Sequence, residues 1–309
     1  MTRILPFLLF IIGFLSFTFS QQMPQYTQWA SHQFALNPAH AGIKKCLDLQ
    51  LLFRSQWLGL DGAPQSGFVT ASIPLKSKRK KFLSGRHGMG VKFENDRIGQ
   101  IDMNRFNLAY AGHFNFSRDT RLSLGVYAGI LQFGFDPSKA TTVTPDLAAL
   151  NDASKVTPDA HFGAWWNGLN YYFGLTLNQL IPSQWPTGNG SRQRFHTMFN
   201  AGYRLSINEK LTFLPGMLVK IPFAGPVVMD LNLNFDIQNI YSLGIGYRRQ
   251  DALVFMAGLK IKEQFSIQYS YDFTVSSLQR VSNNTHEISI GYITCKPENK
   301  GTSKCALFE

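Results

Sequence analysis

Apolar and polar side chains alternate along almost the whole chain after residue 46. In "LDLQLLFRSQWLGLDGAP", residues 47–64, Leu47, Leu49, Leu51, Phe53 and Trp57 fall on one side of an extended backbone. Asp48, Gln50, Arg54 and Gln56 fall on the other, and a Gly/Pro turn follows. "VVMDLNLNFDI", 227–237, sets Val227, Met229, Leu231, Leu233, Phe235 and Ile237 against Asp230, Asn232, Asn234 and Asp236; "FSIQYSYDF", 265–273, and "YSLGIGYRR", 241–249, repeat the pattern. Strict period-two alternation predicts strands, and no helical periodicity is sustained beyond residue 46. The same pattern suits two solvents. A soluble sheet turns its apolar face to a core, whereas a membrane barrel turns it to lipid and its polar face to the lumen.

Counting resolves that choice. Alternating segments fall at 46–58, 65–75, 87–98, 101–116, 120–135, 159–168, 170–180, 195–207, 210–221, 227–237, 240–249, 252–261, 263–273 and 285–294, which makes fourteen. Their lengths suit the roughly 9–11 residues of a spanning strand better than the five or six or so typical of soluble strands. With a periplasmic N-terminus the inner connections include "SRDT" 117–120, "GLN" 168–170, "NEK" 208–210, "QN" 238–239 and "KE" 262–263, all tiny. The outer ones include the longer 136–158, 181–194, 222–226 and 274–284; a long inner turn at 76–86 and a short outer one at 98–100 break the rule. Turn length sorted by parity is the mark of an outer-membrane barrel, and a soluble sandwich has no reason for it. The predicted fold class is therefore all-β: a single transmembrane antiparallel barrel of about fourteen strands spanning 46–294.

The ends differ from the middle. Arg3 followed by an apolar run from Ile4 to Phe19 and a small residue at Ser20 predicts a signal peptide over 1–20, too short to span a membrane as a helix. Its removal takes one Arg from 30 Lys+Arg against 19 Asp+Glu and leaves a net charge of +10. An exported basic chain has no call for nucleic acid, and the cluster Lys76, Lys78, Arg79, Lys80, Lys81 and Arg86 suits a solvated turn or a contact with lipid headgroups or an acidic partner. Residues 21–45 lack alternation. Tyr26, Trp29, Gln33 and Phe34 could share one face of a short helix stopped before Pro38, and the segment is expected in the periplasm or as a plug in the lumen. A tail over 295–309 is expected in the periplasm.

Several stretches carry a family resemblance: "NPAHAG" 37–42, "FRSQWLGLDGAP" 53–64, "PDAHFGAWW" 158–166, "LPGMLVK" 214–220, "YRRQDA" 247–252 and "YSYDFTVSSLQRVSNNTHEISIGY" 269–292. Together, from about Gln25 to Tyr292, they resemble the PorP/SprF family of type IX secretion proteins. The motif residues are Asn37, Pro38, Gly42, Arg54, Gln56, Trp57, Gly59, Asp61, Gly62, Pro64, Arg248, Asp251, Asp272, His286 and Glu287. The chain departs from the family pattern at Gly246, at Asn284-Thr285 and in its Cys-bounded tail. The resemblance implies an outer-membrane barrel of Bacteroidetes-type bacteria serving type IX secretion or gliding motility. It implies as partner either a secreted adhesin, through its C-terminal sorting domain, or periplasmic ring lipoproteins or a peptidoglycan-binding protein of the secretion motor.

Chemistry adds little. None of the seven histidines lies in a hydrolase or metalloprotease setting, and "GRHGMG" 85–90 has the wrong glycine spacing for a phosphate loop. No catalytic residue, cofactor or metal ligand is expected. Parity aims Asp48, Arg54, Lys92, Glu94, Arg204, Lys220, Asp230, Asp236 and Arg248 into the lumen, where mixed signs suit a self-satisfied network or a guest-binding surface. The outer loops, with Trp185 in 181–194, are the expected partner surface. Cys46 opens the first strand and Cys295 ends the last; barrel closure brings them together, so a disulfide from Cys46 to Cys295 or Cys305 is expected, free thiols being the alternative. The functional expectation is a non-enzymatic accessory that captures or retains a secreted partner. The alternatives are a structural link to the periplasmic ring and, from another class, a passive diffusion channel.

Overall fold

The structure, a computed structural model, describes residues 23–44, 46–75, 85–117, 119–136, 153–184, 192–223 and 225–295. The signal peptide, most of the basic turn 76–86, much of the outer loop 136–158, Trp185, Cys305 and most of the tail 295–309 lie outside the described residues. The strands are β1 (Asp48–Ser55), β2 (Gln65–Leu75), β3 (Arg86–Ile98), β4 (Ile101–Asn115), β5 (Arg121–Phe135), β6 (Ala153–Asn167), β7 (Tyr171–Asn178) and β8 (His196–Tyr203). They continue as β9 (Leu205–Ser206), β10 (Leu211–Pro222), β11 (Val228–Ile237), β12 (Tyr241–Arg248), β13 (Ala252–Ile261), β14 (Phe265–Thr274) and β15 (Thr285–Ile293). Each pairs antiparallel with its neighbours, and β1 pairs with β15 from Asp48↔Ile293 to Ser55↔His286, which closes a ring of fourteen. The two-residue β9 stands outside the ring and pairs only with β10.

Burial runs opposite to that of a soluble protein. Leu108 (56 %), Phe255 (52 %) and Phe53 (50 %) face outward in the open, while Arg54 and Asn107 (0 %) and Glu287 (1 %) are fully enclosed. Exposed apolar rows around an ion-paired interior are the informative exception to ordinary burial, and they identify the outer solvent as lipid. Trp165 and Trp166 divide the same way: Trp165 is buried inside against Tyr172 (4.5 Å between ring centroids), and Trp166 lies against Phe116 (5.3 Å).

Most strand ends fall within two residues of the sequence reading; three differ by more than that or in continuity, each with a local cause. β1 stops at Ser55, because Trp57 takes a left-handed φ of +47° that ends the pleat, so Trp57 does not extend the lipid-facing row of the strand. β6 starts at Ala153, six residues before the expected 159, since it pairs along the full length of β5 up to Phe135↔Ala153. The predicted strand over 195–207 is broken at Arg204, opposite the stretch that contains Pro215, whose ring nitrogen has no hydrogen to donate. The inner turns are tight: Gln238 and Asn239, then Lys262 and Glu263, are all left-handed, as in type I′ hairpins.

Residues 23–43 fill the barrel. Their only α-helical piece is α1 (Gln33–Leu36), followed by a 3-10 turn at Pro38–His40 that Asn37 caps by accepting from the Ala39 amide at 2.9 Å. The helix stops before Pro38 as expected, but it begins only at Gln33: residues 27–31 form turns, so the helical face suggested by Tyr26, Trp29, Gln33 and Phe34 is not formed as one helix. Inward glycines let the plug backbone approach the wall. A Cβ on Gly125 would sit 2.5 Å from the carbonyl of Pro38, and one on Gly88 would collide with the Ala41 carbonyl.

Cys46 and Cys295 are joined by a disulfide across the β1–β15 seam, with 5.2 Å between Cα atoms. Two of the three cysteines should therefore resist alkylation until reductant is added. Three modified thiols without reductant, read by mass shift, would overturn the bond. For a loop 249 residues apart in sequence the chain-entropy account gives about 5.5 kcal/mol, against the about 2–4 kcal/mol that disulfides typically contribute.

Candidate functional site: the plug and its latch

Inside the barrel the side chains that alternation aims inward meet the plug rather than each other alone. The densest meeting is at Thr27-Gln28. The amides of Thr27 and Gln28 donate to the two carboxylate oxygens of Glu287, at 2.9 and 2.8 Å. The Thr27 hydroxyl donates to Asp272 at 2.7 Å and accepts from Arg54 at 2.7 Å and Arg248 at 3.1 Å. One donor and two lone pairs are all a hydroxyl has, so Thr27 is saturated. Arg54 binds Asp272 at 2.8 Å and Glu287 at 3.1 Å; Arg248 binds Asp230 at 2.8 Å, Asp272 at 2.9 Å and Asp251 at 3.3 Å. The Gln28 side chain accepts from Ser289 at 2.5 Å and donates to the Glu287 carbonyl at 3.2 Å. Asn232 donates to the Thr27 carbonyl at 3.1 Å. Strands β1, β11, β12, β14 and β15 thus hold one dipeptide.

A second cluster faces it from β3, β4 and β6. Glu94 accepts from Arg105 (2.6 Å), Lys92 (3.3 Å) and the Tyr26 hydroxyl (3.0 Å), and Lys92 also donates to the Ala35 carbonyl at 3.0 Å. Asp159 sits against Arg105 (3.3 Å), His161 (2.8 Å) and Asn107 (3.1 Å). Lower down, Asn37 donates to the carbonyls of Ala164 and Leu175 (3.0 and 3.3 Å), and His40 packs edge-on against Trp165 at 4.2 Å. In a low-dielectric interior such charges cost several kcal/mol each unless paired and hydrogen-bonded, and these are paired.

Among the described residues one Ser–His pair is hydrogen-bonded, Ser123 Oγ with His113 Nδ1 at 2.7 Å; Ser123 is fully buried and His113 Nε2 meets the backbone carbonyl of Ala41 at 3.0 Å. Both ring nitrogens of His113 are thus taken up, by Ser123 and by the plug backbone.

The motif residues separate into groups. Arg54, Arg248, Asp272 and Glu287, from three distant stretches of sequence, converge on Thr27, with Asp251 at the edge of Arg248. Asn37, Pro38 and Gly42 belong to the plug; Gly42 is left-handed (φ +63°) and lies against the Ile73 carbonyl. Gln56, Trp57, Gly59, Asp61, Gly62 and Pro64 build the first outer loop, where the Gln56 amide donates to the Pro64 carbonyl at 2.9 Å. His286 is not brought to the site: it is bonded to the outward-facing Tyr269 hydroxyl at 2.6 Å. Of the inward charges, Lys220 donates to the Pro24 carbonyl at 3.1 Å. Asp48 pairs with Lys44 (2.8 Å) and Asp236 with Lys260 (2.9 Å), both near the inner rim, where Arg204 is half-buried. Sequence reasoning missed Thr27, Gln28, Arg105 and Asp159. Arg105 shares the parity of Asn107 and was within reach; Thr27 and Gln28 lie where no periodicity operates.

Comparison with known proteins supports both fold and family. Residues 18–292 match the family described as type IX secretion system membrane protein PorP/SprF. No curated protein matches the chain. Among solved structures, the Ralstonia pickettii toluene transporter TbuX aligns at TM-score 0.52 and 8% identity, covering 87% of this chain and 93% of that one. The CymD monoaromatic hydrocarbon channel aligns at 0.51 and 9%, covering 88% and 93%. At such identities the likeness is one of barrel fold.

Proposed function

This chain belongs to the PorP/SprF family of type IX secretion system membrane proteins, an outer-membrane component of that system, and we propose that it is a non-enzymatic accessory that captures or retains a secreted partner at the cell surface. The observation that carries this reading is the latched plug. A lumen filled by residues 23–43 and tied to most of the strands makes the barrel a rigid scaffold. On such a scaffold, binding falls to the loops at its outer end. The partner class is a large exported protein, engaged through its C-terminal sorting domain. The same plug weighs against a passive channel. It also withdraws residues 23–43 from any role as a periplasmic handle for the secretion ring.

Mild crosslinking in native outer membrane, followed by purification of the barrel and identification of what accompanies it, tests the reading. A large exported protein with a C-terminal sorting domain is expected. Recovery of periplasmic ring lipoproteins alone overturns the capture role in favour of the motor link.

A further inference from the structure

The lipid-facing wall is not uniformly convex. Across β7, β8, β10, β11, β12 and β13 it holds a groove of about 730 Å3, lined almost wholly by apolar and aromatic side chains. One bank is a single row in the hydrogen-bonding direction: Tyr171, Tyr203, Pro215, Leu233, Ile245 and Phe255. The other is the row two residues along each strand, from Phe173 through Ala201 and Met217 to Leu253.

The groove lies where the wall is irregular. The ladder runs from β8–β10 at Gly202↔Gly216 and resumes as β9–β10 at Leu205↔Phe213, so it lapses at Leu214 and Pro215. Here the outward side chains Phe199, Phe213 and Met217 are half-buried, whereas on the neighbouring strands Ile245 and Phe255 stand open. The floor is thin, with small Ala201 on the lipid side and Trp29 of the plug behind: a Cβ on Gly216 would lie 2.9 Å from the Trp29 ring.

Dimensions select the occupant. Six strands about 4.8 Å apart give a length of about 24 Å, and rows two residues apart give a width of about 7 Å. A transmembrane helix, roughly 10–12 Å across with its side chains, is too broad for it. An extended peptide would leave its backbone unpaired against an apolar wall within the hydrocarbon layer. A single hydrocarbon chain meets neither objection, and the length exceeds the ~15 Å that one leaflet of the hydrocarbon core provides. The groove begins at Tyr171 and Tyr203, beside the tight turn 168–170 on the periplasmic side, and its far end holds Tyr247, one residue before the outer end of β12; tyrosine, like tryptophan, is enriched at both membrane–water interfaces. We propose that this groove is a lipid site that takes one phospholipid acyl chain.

The test uses the full chain reconstituted in vesicles of phosphatidylethanolamine, a fraction of which carries a diazirine midway along one acyl chain. After illumination, adducts are mapped by peptide mass spectrometry. Adducts at Ala201, Met217 and Leu231 should exceed those at the outward residues Val69, Leu108 and Val126 several-fold, and Ala201→Trp should bring them down to the level of the rest of the wall. Adducts spread evenly around the wild-type barrel overturn the site. So does a groove unlabelled while the other strands are labelled, since it would then hold something else. Should Ala201→Trp fail to insert, the wild-type map decides alone.

Discussion

Replacing Arg54 with leucine is expected to destabilise the barrel by about 3–5 kcal/mol, the usual cost of removing one partner from a buried ion pair. Arg54 is fully enclosed and lies between Asp272 at 2.8 Å and Glu287 at 3.1 Å. Without it Glu287 loses its cation in a dry interior, Asp272 keeps only Arg248, and the Thr27 hydroxyl loses its 2.7 Å donor. The loss reaches the plug, because Glu287 is also the acceptor for the Thr27 and Gln28 amides. Urea unfolding in lipid vesicles, followed by tryptophan fluorescence, reads the change. Lys260→Ala is the control, since its ion pair with Asp236 lies near the inner rim with 34% of the lysine side chain exposed, and such pairs are worth about 0–1 kcal/mol. An Arg54→Leu midpoint equal to that of the wild type would falsify the latch.

Deleting residues 23–43 should turn a silent protein into an ohmic pore in planar bilayers. Barrels of about eight strands fill their lumen with wall side chains, and those of about 16–18 leave an aqueous channel; fourteen strands fall between and need a filler. Here the filler is the plug, whose Tyr26 packs against Phe68 and Leu52, Phe34 against Tyr127, and Trp29 behind Gly216. Gly125→Val reaches the same end without deletion, by driving a side chain into the Pro38 carbonyl. It should produce intermittent openings. A deletion variant that stays closed contradicts the plug as the seal, and a wild-type barrel that already conducts steadily favours the diffusion channel instead.

What was legible in the sequence follows from where the physics is local. Facing lipid or lumen alternates residue by residue, so strand positions such as Gln65–Leu75 and Ala252–Ile261 could be read directly from the pattern. Pro215 broke a strand through a missing amide hydrogen, which alternation does not register. The motif residues Arg54, Arg248, Asp272 and Glu287 stood out one by one, but their common target did not. Thr27 is 260 residues from Glu287, and only barrel closure gives that separation a distance. Plug contacts are made by backbone amides and short side chains in irregular chain, where neither period two nor period 3.6 applies.

The bond between Cys46 and Cys295 also fixes an order of events. Two cysteines cannot be bridged while their Cα atoms are more than about 7 Å apart, so the thiols can oxidise only once β1 and β15 have met, at the 5.2 Å seen here. Before that, both edge strands carry open ladders that can pair with another chain. Afterwards the seam can breathe but cannot part, and the sheet is a covalent hoop. The disulfide is therefore a ratchet on biogenesis, a chemical record that this barrel finished closing.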